Sequence, residues 1–388
     1  MPVPPIADAF VARFVVEPKS SGPLRGTSFA VKDMFDVADW PTGCGNPSWR
    51  ATHGRATTNA AVVQRLLDAG ARLIGKTRTD ELAYSLEGRN FHEGAPLNPA
   101  APSRLTGGSS SGAASAVAAD DVDFAIATDT AGSVRVPAAW CGLIGLRPTH
   151  ARVSVNGLTP LAPSFDTVGW LARSGSLMRD IGAVLLEDYS TAMTAADLLS
   201  DPLLDSLSGA AQPAAVTDYA GRFAEHFPKQ YEISLGIDLQ RAAECLRVLQ
   251  AREVWSTHGQ WIDSINPRFG PSVAERFRAA RMITDDQLRQ AERQRAAVIA
   301  QLDTVLPSGK MLCLPTVPGP AAARDASPEE LQMQRALLFP LTALASLTGR
   351  PQISLPLRCV DAAPLGISLL GWRNGDEALL KVAAGILP

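Results

Sequence analysis

The stretch from Thr106 to Pro137 constrains the fold more than any other part of the chain. It opens with Thr-Gly-Gly-Ser-Ser-Ser-Gly at Thr106–Gly112 and continues through the alanine-rich Gly112–Ala119. An apolar run, Val122–Thr128, leads into Thr-Asp-Thr-Ala-Gly-Ser-Val-Arg-Val-Pro at Thr128–Pro137. Alanine favours helix, and short runs rich in apolar residues between turn signals favour strand. The stretch therefore reads as loop, helix, strand and turn, with the helix N-terminus abutting the first serine loop. Ser109 and Ser133 stand twenty-four positions apart, each in a glycine-flanked loop. Glycine lets backbone N–H groups approach a reacting oxygen closely. Far upstream, Ser28–Lys32 reads as a strand whose end presents Lys32. A lysine and two serines, with no recurring histidine partner, suggest acyl transfer without a Ser-His-Asp triad.

Elsewhere, short apolar runs alternate with helical patterns, which predicts a layered α/β fold. Asn59–Ala69 carries Val62, Val63, Leu66 and Leu67 at helical spacing, and Gly70 follows as a stop. Arg72–Gly75 reads as a buried strand, and Leu312–Pro315, Gln352–Pro356 and Gly366–Gly371 read as further strands. From residue 187 to 300 alanine, arginine, glutamine and glutamate dominate, and Ile237–Trp255 and Pro271–Leu302 have helical periodicity. That segment is expected to be a helical cover inserted into one compact domain spanning residues 1–388. No repeat or low-complexity linker divides the chain.

Bulk properties exclude several classes. A net charge of −3 gives no electrostatic reason to expect nucleic acid or an anionic membrane as partner. No stretch approaches eighteen uninterrupted apolar residues, and the first residues, Met-Pro-Val-Pro-Pro-Ile, lack a signal-peptide pattern. Five scattered cysteines (Cys44, Cys141, Cys245, Cys313, Cys359) without a C-x-x-C pair read as reduced thiols, consistent with a cytoplasmic protein. His53, His92, His150, His226 and His258 show no metal-ligand spacing, so neither metal nor cofactor is expected.

These motifs resemble the amidase signature family. The resemblance runs from Ser28–Val37 through Gly75–Tyr84, Asn98-Pro99 and the two serine loops. It continues through Ser164–Trp170 and Leu314–Thr316 to Gly349–Pro356. Gly45–Trp49, Val136–Gly142 and Trp261–Pro267 are similar to short members related to indole-3-acetamide hydrolases. The resemblance implies a central mixed β-sheet covered by helices on both faces. It further implies a nucleophile at Ser133, a bridging Ser109 on a cis Gly108–Ser109 peptide, and Lys32 as the base. Thr130, Ala131, Gly132 and Ser133 would offer N–H groups to the oxyanion. Ala131 stands where many members have glycine, which matters if φ there is positive. Asp129 and Arg135 would hold the nucleophile loop by charge-assisted hydrogen bonds. Tyr84, Trp140 and Phe35 are candidates to line an acyl pocket, and Asp33 and Asp166 to organise the site.

Taken singly, each motif has a plainer reading. A lysine after an apolar strand is ordinarily a strand-end residue, and Gly-Gly-Ser-Ser-Ser-Gly is ordinarily a flexible loop. Neither serine motif matches a nucleotide phosphate-binding loop or a Gly-x-Ser-x-Gly elbow. Their joint spacing carries the inference. The expectation is a cofactor-independent amidase, monomeric or homodimeric, acting on a small primary amide such as an arylacetamide. The alternatives are a glutaminase-type protein that donates ammonia to a partner, and an inactive amidase-like binding module. For Lys32 to accept a proton it must be buried, because a free lysine is charged at neutral pH.

Overall fold

A computed structural model describes residues 6–191, 196–207, 226–357 and 363–387. In chain order the strands begin with β1 (Ile6–Ala7), β2 (Phe10–Val16), β3 (Ser28–Lys32), β4 (Arg72–Thr77) and β5 (Ala95–Pro96). Next come β6 (Phe124–Asp129), β7 (Ile144–Arg147), β8 (Thr167–Ala172) and β9 (Asp197–Ser200). The last are β10 (Gln230–Glu232), β11 (Lys310–Pro315), β12 (Gln352–Leu357) and β13 (Leu365–Leu370). Eleven of them form one mixed sheet in the order β10-β9-β11-β13-β12-β7-β8-β6-β3-β4-β2, and β1 pairs separately with β5. β3 runs parallel to both β4 and β6, whereas β7, β8, β12 and β13 join their neighbours antiparallel.

Side chains alternate across a strand, and here the two faces differ in size. Phe29, Val31, Phe124, Ile126, Ile144, Leu146 and Trp170 point into the larger core. That core also receives the Ala61–Asp68 and Gly175–Leu185 helices, the latter packed against Asp376–Ile386. The opposite face carries Ala30, Ala125 and Ala127 beneath Ala113, Ala114, Ala116 and Val117. Small residues on both sides of that contact let the Ser111–Ala118 helix lie close to the sheet. The Arg135–Cys141 helix packs beside it and against β12 and β13. Helices thus cover both faces. Both serine loops feed helices on the small-residue face, and Lys32, alternating with Val31, shares that face with Ala30.

The 187–300 segment, expected as a mostly helical cover, also contributes two short strands. β9 lies within the main sheet, parallel to β11, and β10 extends it. Strands of four and three residues are too short for a period to stand out from an alanine-rich background. The Leu239–Ile265 helix is capped by the Asp238 side chain and ends with Asn266 in the left-handed conformation (φ 48°). The helical periodicity over Pro271–Leu302 belongs to two helices, Pro271–Arg281 and Asp285–Val305, because Thr284 and Gln287 form a capping box that starts the second. Among the described residues no helix is long and apolar enough to cross a membrane.

Candidate active site

β3 delivers Lys32 into a fully buried position, where its Nζ donates to Ser109 Oγ (2.7 Å) and Thr128 Oγ1 (2.7 Å). No carboxylate touches this ammonium among the described residues. Burial pulls its pKa from 10.5 to about 7, against the opposing pull of Asp80, Asp129 and Asp166. A hydroxyl is a weaker partner for an ammonium than a carboxylate, so the neutral amine is accessible near neutral pH. The Gly108–Ser109 peptide is cis, and the carbonyl of Ser109 accepts from the N–H of Asp80 (3.1 Å). Ser110 Oγ donates to the Thr128 carbonyl (3.3 Å), fastening the first serine loop to the end of β6.

The second loop turns directly out of β6. Gly132 has φ 126°, and a Cβ built on it would come within 2.9 Å of Thr342 Cγ2, so this position needs glycine on both counts. Ala131 is outside the positive-φ set, so the alanine in place of a second glycine costs no strain. The N–H of Gly132 donates to Asp129 Oδ1 (2.8 Å). That hydrogen bond removes Gly132 from the four oxyanion donors expected. The N–H groups of Thr130, Ala131 and Ser133 meet no acceptor among the described residues. Ser133 is buried at the start of the Arg135–Cys141 helix.

Asp129 and Arg135 are joined more tightly than a loop clamp requires. Arg135 Nε and Nη2 reach the two carboxylate oxygens of Asp129 at 2.9 and 2.8 Å. Arg147 Nη1 adds a contact to Oδ1 (3.2 Å) and another to the Asp129 carbonyl. Burial raises the carboxyl pKa of Asp129, but the two guanidinium groups and the N–H donors outweigh it and hold it well below the carboxylate range. Arg135 is gripped in turn by the Thr342 carbonyl (3.0 Å), Gln352 Oε1 (2.6 Å) and Ser346 Oγ (3.2 Å). Thr130 Oγ1 donates to Asp166 Oδ1 (2.6 Å), whose other oxygen accepts from the N–H groups of Leu161 and Ala162.

Asp80 is a site residue that sequence reasoning does not single out, although it lies inside the Gly75–Tyr84 motif. It is fully buried, it accepts from the Gly88 N–H (3.0 Å), and its Oδ1 has no hydrogen-bond partner among the described residues. Burial and the nearby Glu87 raise its pKa to about 6, and Lys32 opposes that rise. A Cβ on Gly108 would come within 2.2 Å of Asp80 Oδ2, so the glycine makes room for the carboxylate against the serine loop. The turn that follows is strained, with Leu82 and Ala83 at φ 46° and 58°. Thr128 is a second such residue, even though it begins the nucleophile motif. Gln352 lies inside the Gly349–Pro356 motif without being singled out, and Arg147, Thr342 and Ser346 lie outside every motif.

The three aromatic candidates part company. Tyr84 is buried edge-on to Phe277 (centroids 5.3 Å), and its carbonyl accepts from Arg276 Nη1 (2.9 Å). Trp140 lies over Gly107 beside the first serine loop, and its Nε1 donates to the Gly319 carbonyl (2.9 Å). Phe35 is fully buried in the larger core and bridges to Leu158. Of the cysteines, Cys44, Cys141 and Cys245 are buried free thiols, Cys313 is buried, and Cys359 lies outside the described residues.

Comparison with known proteins agrees with this architecture. The family model described as Amidase matches residues 7–219 and 223–380. The chain is 38% identical to Amidase 1 of Arabidopsis thaliana, over 96% of each chain. It is 29% identical to a glutamyl-tRNA(Gln) amidotransferase subunit of Halobacterium salinarum, over 98% of this chain and 99% of the relative. A solved amidase crystal structure superposes with a TM-score of 0.86 at 30% identity, covering 95% of this chain and 86% of the other. The chain belongs to the Amidase family and is an amidase, a hydrolase of amide C–N bonds.

Proposed function

We propose that the protein hydrolyses a small primary amide to a carboxylic acid and ammonia through a seryl acyl-enzyme, with Lys32, Ser109 and Ser133 as catalytic residues. The observation that carries this reading is the buried Lys32, held by two hydroxyls and titrating near 7. As the Ser133 Oγ–carbonyl carbon bond forms, the Ser133 proton passes to Ser109, whose own proton moves to neutral Lys32. The tetrahedral oxyanion faces the N–H groups of Thr130, Ala131 and Ser133, each such donor being worth roughly 3–4 kcal/mol. Lys32 then returns its proton through Ser109 to the departing nitrogen, the C–N bond breaks, and ammonia leaves. Water attacks the ester by the same relay, and the acid departs with Ser133 restored.

The resemblance to indole-3-acetamide hydrolases makes arylacetamides the first substrates to try, and the similarity to Amidase 1 supports amide hydrolysis more broadly. The amidotransferase relative supplies a second reading, in which glutamine is the amide and the ammonia passes to a partner. Ammonia release from indole-3-acetamide, simple aliphatic amides and glutamine decides between them, with wild type assayed beside Ser133→Ala. Release by wild type alone supports the seryl mechanism. Equal release by Ser133→Ala overturns it, and turnover confined to glutamine moves the assignment to the second reading.

A further inference from the structure

The Pro328–Thr348 helix connects the nucleophile turn to a cluster of arginines that the mechanism leaves unused. Thr342 on this helix packs against Gly132. Arg335 lies seven residues earlier, two turns back on the same face and on the order of 10 Å along the axis. Its guanidinium lies over the ring of Phe339 (4.9 Å), one turn nearer the nucleophile. Arg335 has neither an ion pair nor a hydrogen bond among the described residues, although it is only partly exposed.

Its surroundings are electrically unbalanced. Arg276 Nη2 binds Glu87 Oε1 (2.7 Å), and Arg89 reaches the other oxygen of the same carboxylate (3.5 Å). Arg247 is satisfied by Glu244 (2.6 Å). Both carboxylates are therefore committed to other arginines, and Arg335 is left over. Burial and the neighbouring Arg276 both work against its cation, and Tyr84 and Glu87 only partly offset them. The Tyr84–Gly88 segment that faces this cluster also runs against the first serine loop. The Gly88 N–H binds Asp80, and a Cβ on Gly88 would come within 2.5 Å of the Gly107 carbonyl.

From this juxtaposition we infer that the substrate is an amide whose acyl chain ends in a carboxylate, with the amide carbonyl at Ser133 and the carboxylate on Arg335. The inference rests on the amidase reading of Ser133 and sharpens it by naming the far end of the substrate. An unpaired guanidinium in a partly desolvated setting binds a carboxylate through charge-assisted, bidentate contacts. A neutral acyl group of the same length leaves that cation uncompensated.

The test compares monoamides of succinic, glutaric, adipic and suberic acids with neutral alkyl amides of matching length. Wild type is expected to prefer at least one acid monoamide over its neutral counterpart by about 10- to 100-fold in kcat/KM. Arg335→Gln is expected to collapse that ratio toward one, mainly through KM, and Arg335→Lys to retain part of it. Binding of the same monoamides to Ser133→Ala, measured by calorimetry, reads the contact without turnover, and adding Arg335→Gln should weaken it at least tenfold. The inference is overturned if the neutral amides are preferred at every length. It is equally overturned if the acid preference survives Arg335→Gln, or if monoamide binding ignores that change. Hydrolysis of neutral amides that depends on Ser133 leaves the amidase reading standing in any of those cases, so the two fail separately.

Discussion

Two lysines lie buried at the same end of the sheet and have opposite surroundings. Lys76 on β4 pairs in register with Val31, and Lys32 follows Val31 on β3, so the two side chains leave opposite faces. Lys76 has its charge matched by Asp33 (Nζ to Oδ1, 2.9 Å) and donates as well to the Pro41 carbonyl and Thr42 Oγ1. Lys32 meets two hydroxyls and no carboxylate among the described residues. The same residue type is thus ion-paired on one face and, on the other, an amine that gains and loses its proton near neutrality. Burial alone does not make a base; burial without a contacting anion does.

Lys32→Met is the sharpest way to break that contrast. Loss of the proposed base should lower kcat/KM by about 10⁴-fold, while the thermal midpoint stays level or rises because a desolvated amine has gone. A loss of less than tenfold would remove Lys32 from the chemistry. Lys76→Met should do the reverse. It strands the Asp33 carboxylate and should destabilise the fold by about 3–5 kcal/mol in a denaturant titration. Lys76→Met/Asp33→Leu, which removes both charges, should recover most of that stability. If the double variant is no more stable than the single one, the pair is not what holds Lys76 in place.

The pH profiles test the contrast more finely. Activity should rise as Lys32 loses its proton through about pH 7. Asp80 favours the charged lysine, so Asp80→Asn should move that acid limb to lower pH, by on the order of one unit. An unmoved limb would detach Asp80 from the relay. The smallest signal is in stability. The folded-state value of Lys32, about 7, lies below its ordinary 10.5. Between those values the unfolded chain holds the proton that the folded chain has released, so wild-type stability gains from rising pH through that window. Stability curves of Lys32→Met should lack this contribution, and identical pH slopes would count against a neutral Lys32.

What can be read from the sequence follows the distance over which each signal acts. Lys32, Ser109, Ser133, Asp129 and Arg135 sit in short glycine- and serine-marked motifs, and the strands around them carry local apolar patterns. Asp80 escapes such a reading because its role depends on Gly108 making room beside it, a contact between separate segments. Thr342, Ser346 and Gln352 grip Arg135 from more than 200 positions away, and nothing near them in the chain marks that duty. β9 and β10 are hidden in an alanine-rich stretch because the place of β9 is decided by β11, a partner over a hundred residues later. The Gly132 N–H looks like an oxyanion donor in the sequence, which shows which backbone groups exist and not which acceptor each one meets.

The grip on Arg135 also sets an order in time. Lys32, Ser109, Ser133 and the Asp129 carboxylate that pairs with Arg135 emerge from the ribosome with roughly the first third of the chain, whereas three further groups that hold this arginine arrive only with Thr342, Ser346 and Gln352. A nascent chain that has already folded its early strands therefore carries the proposed catalytic side chains with only part of the fastening around Arg135. The last-made part closes the hydrogen-bond shell of the proposed site.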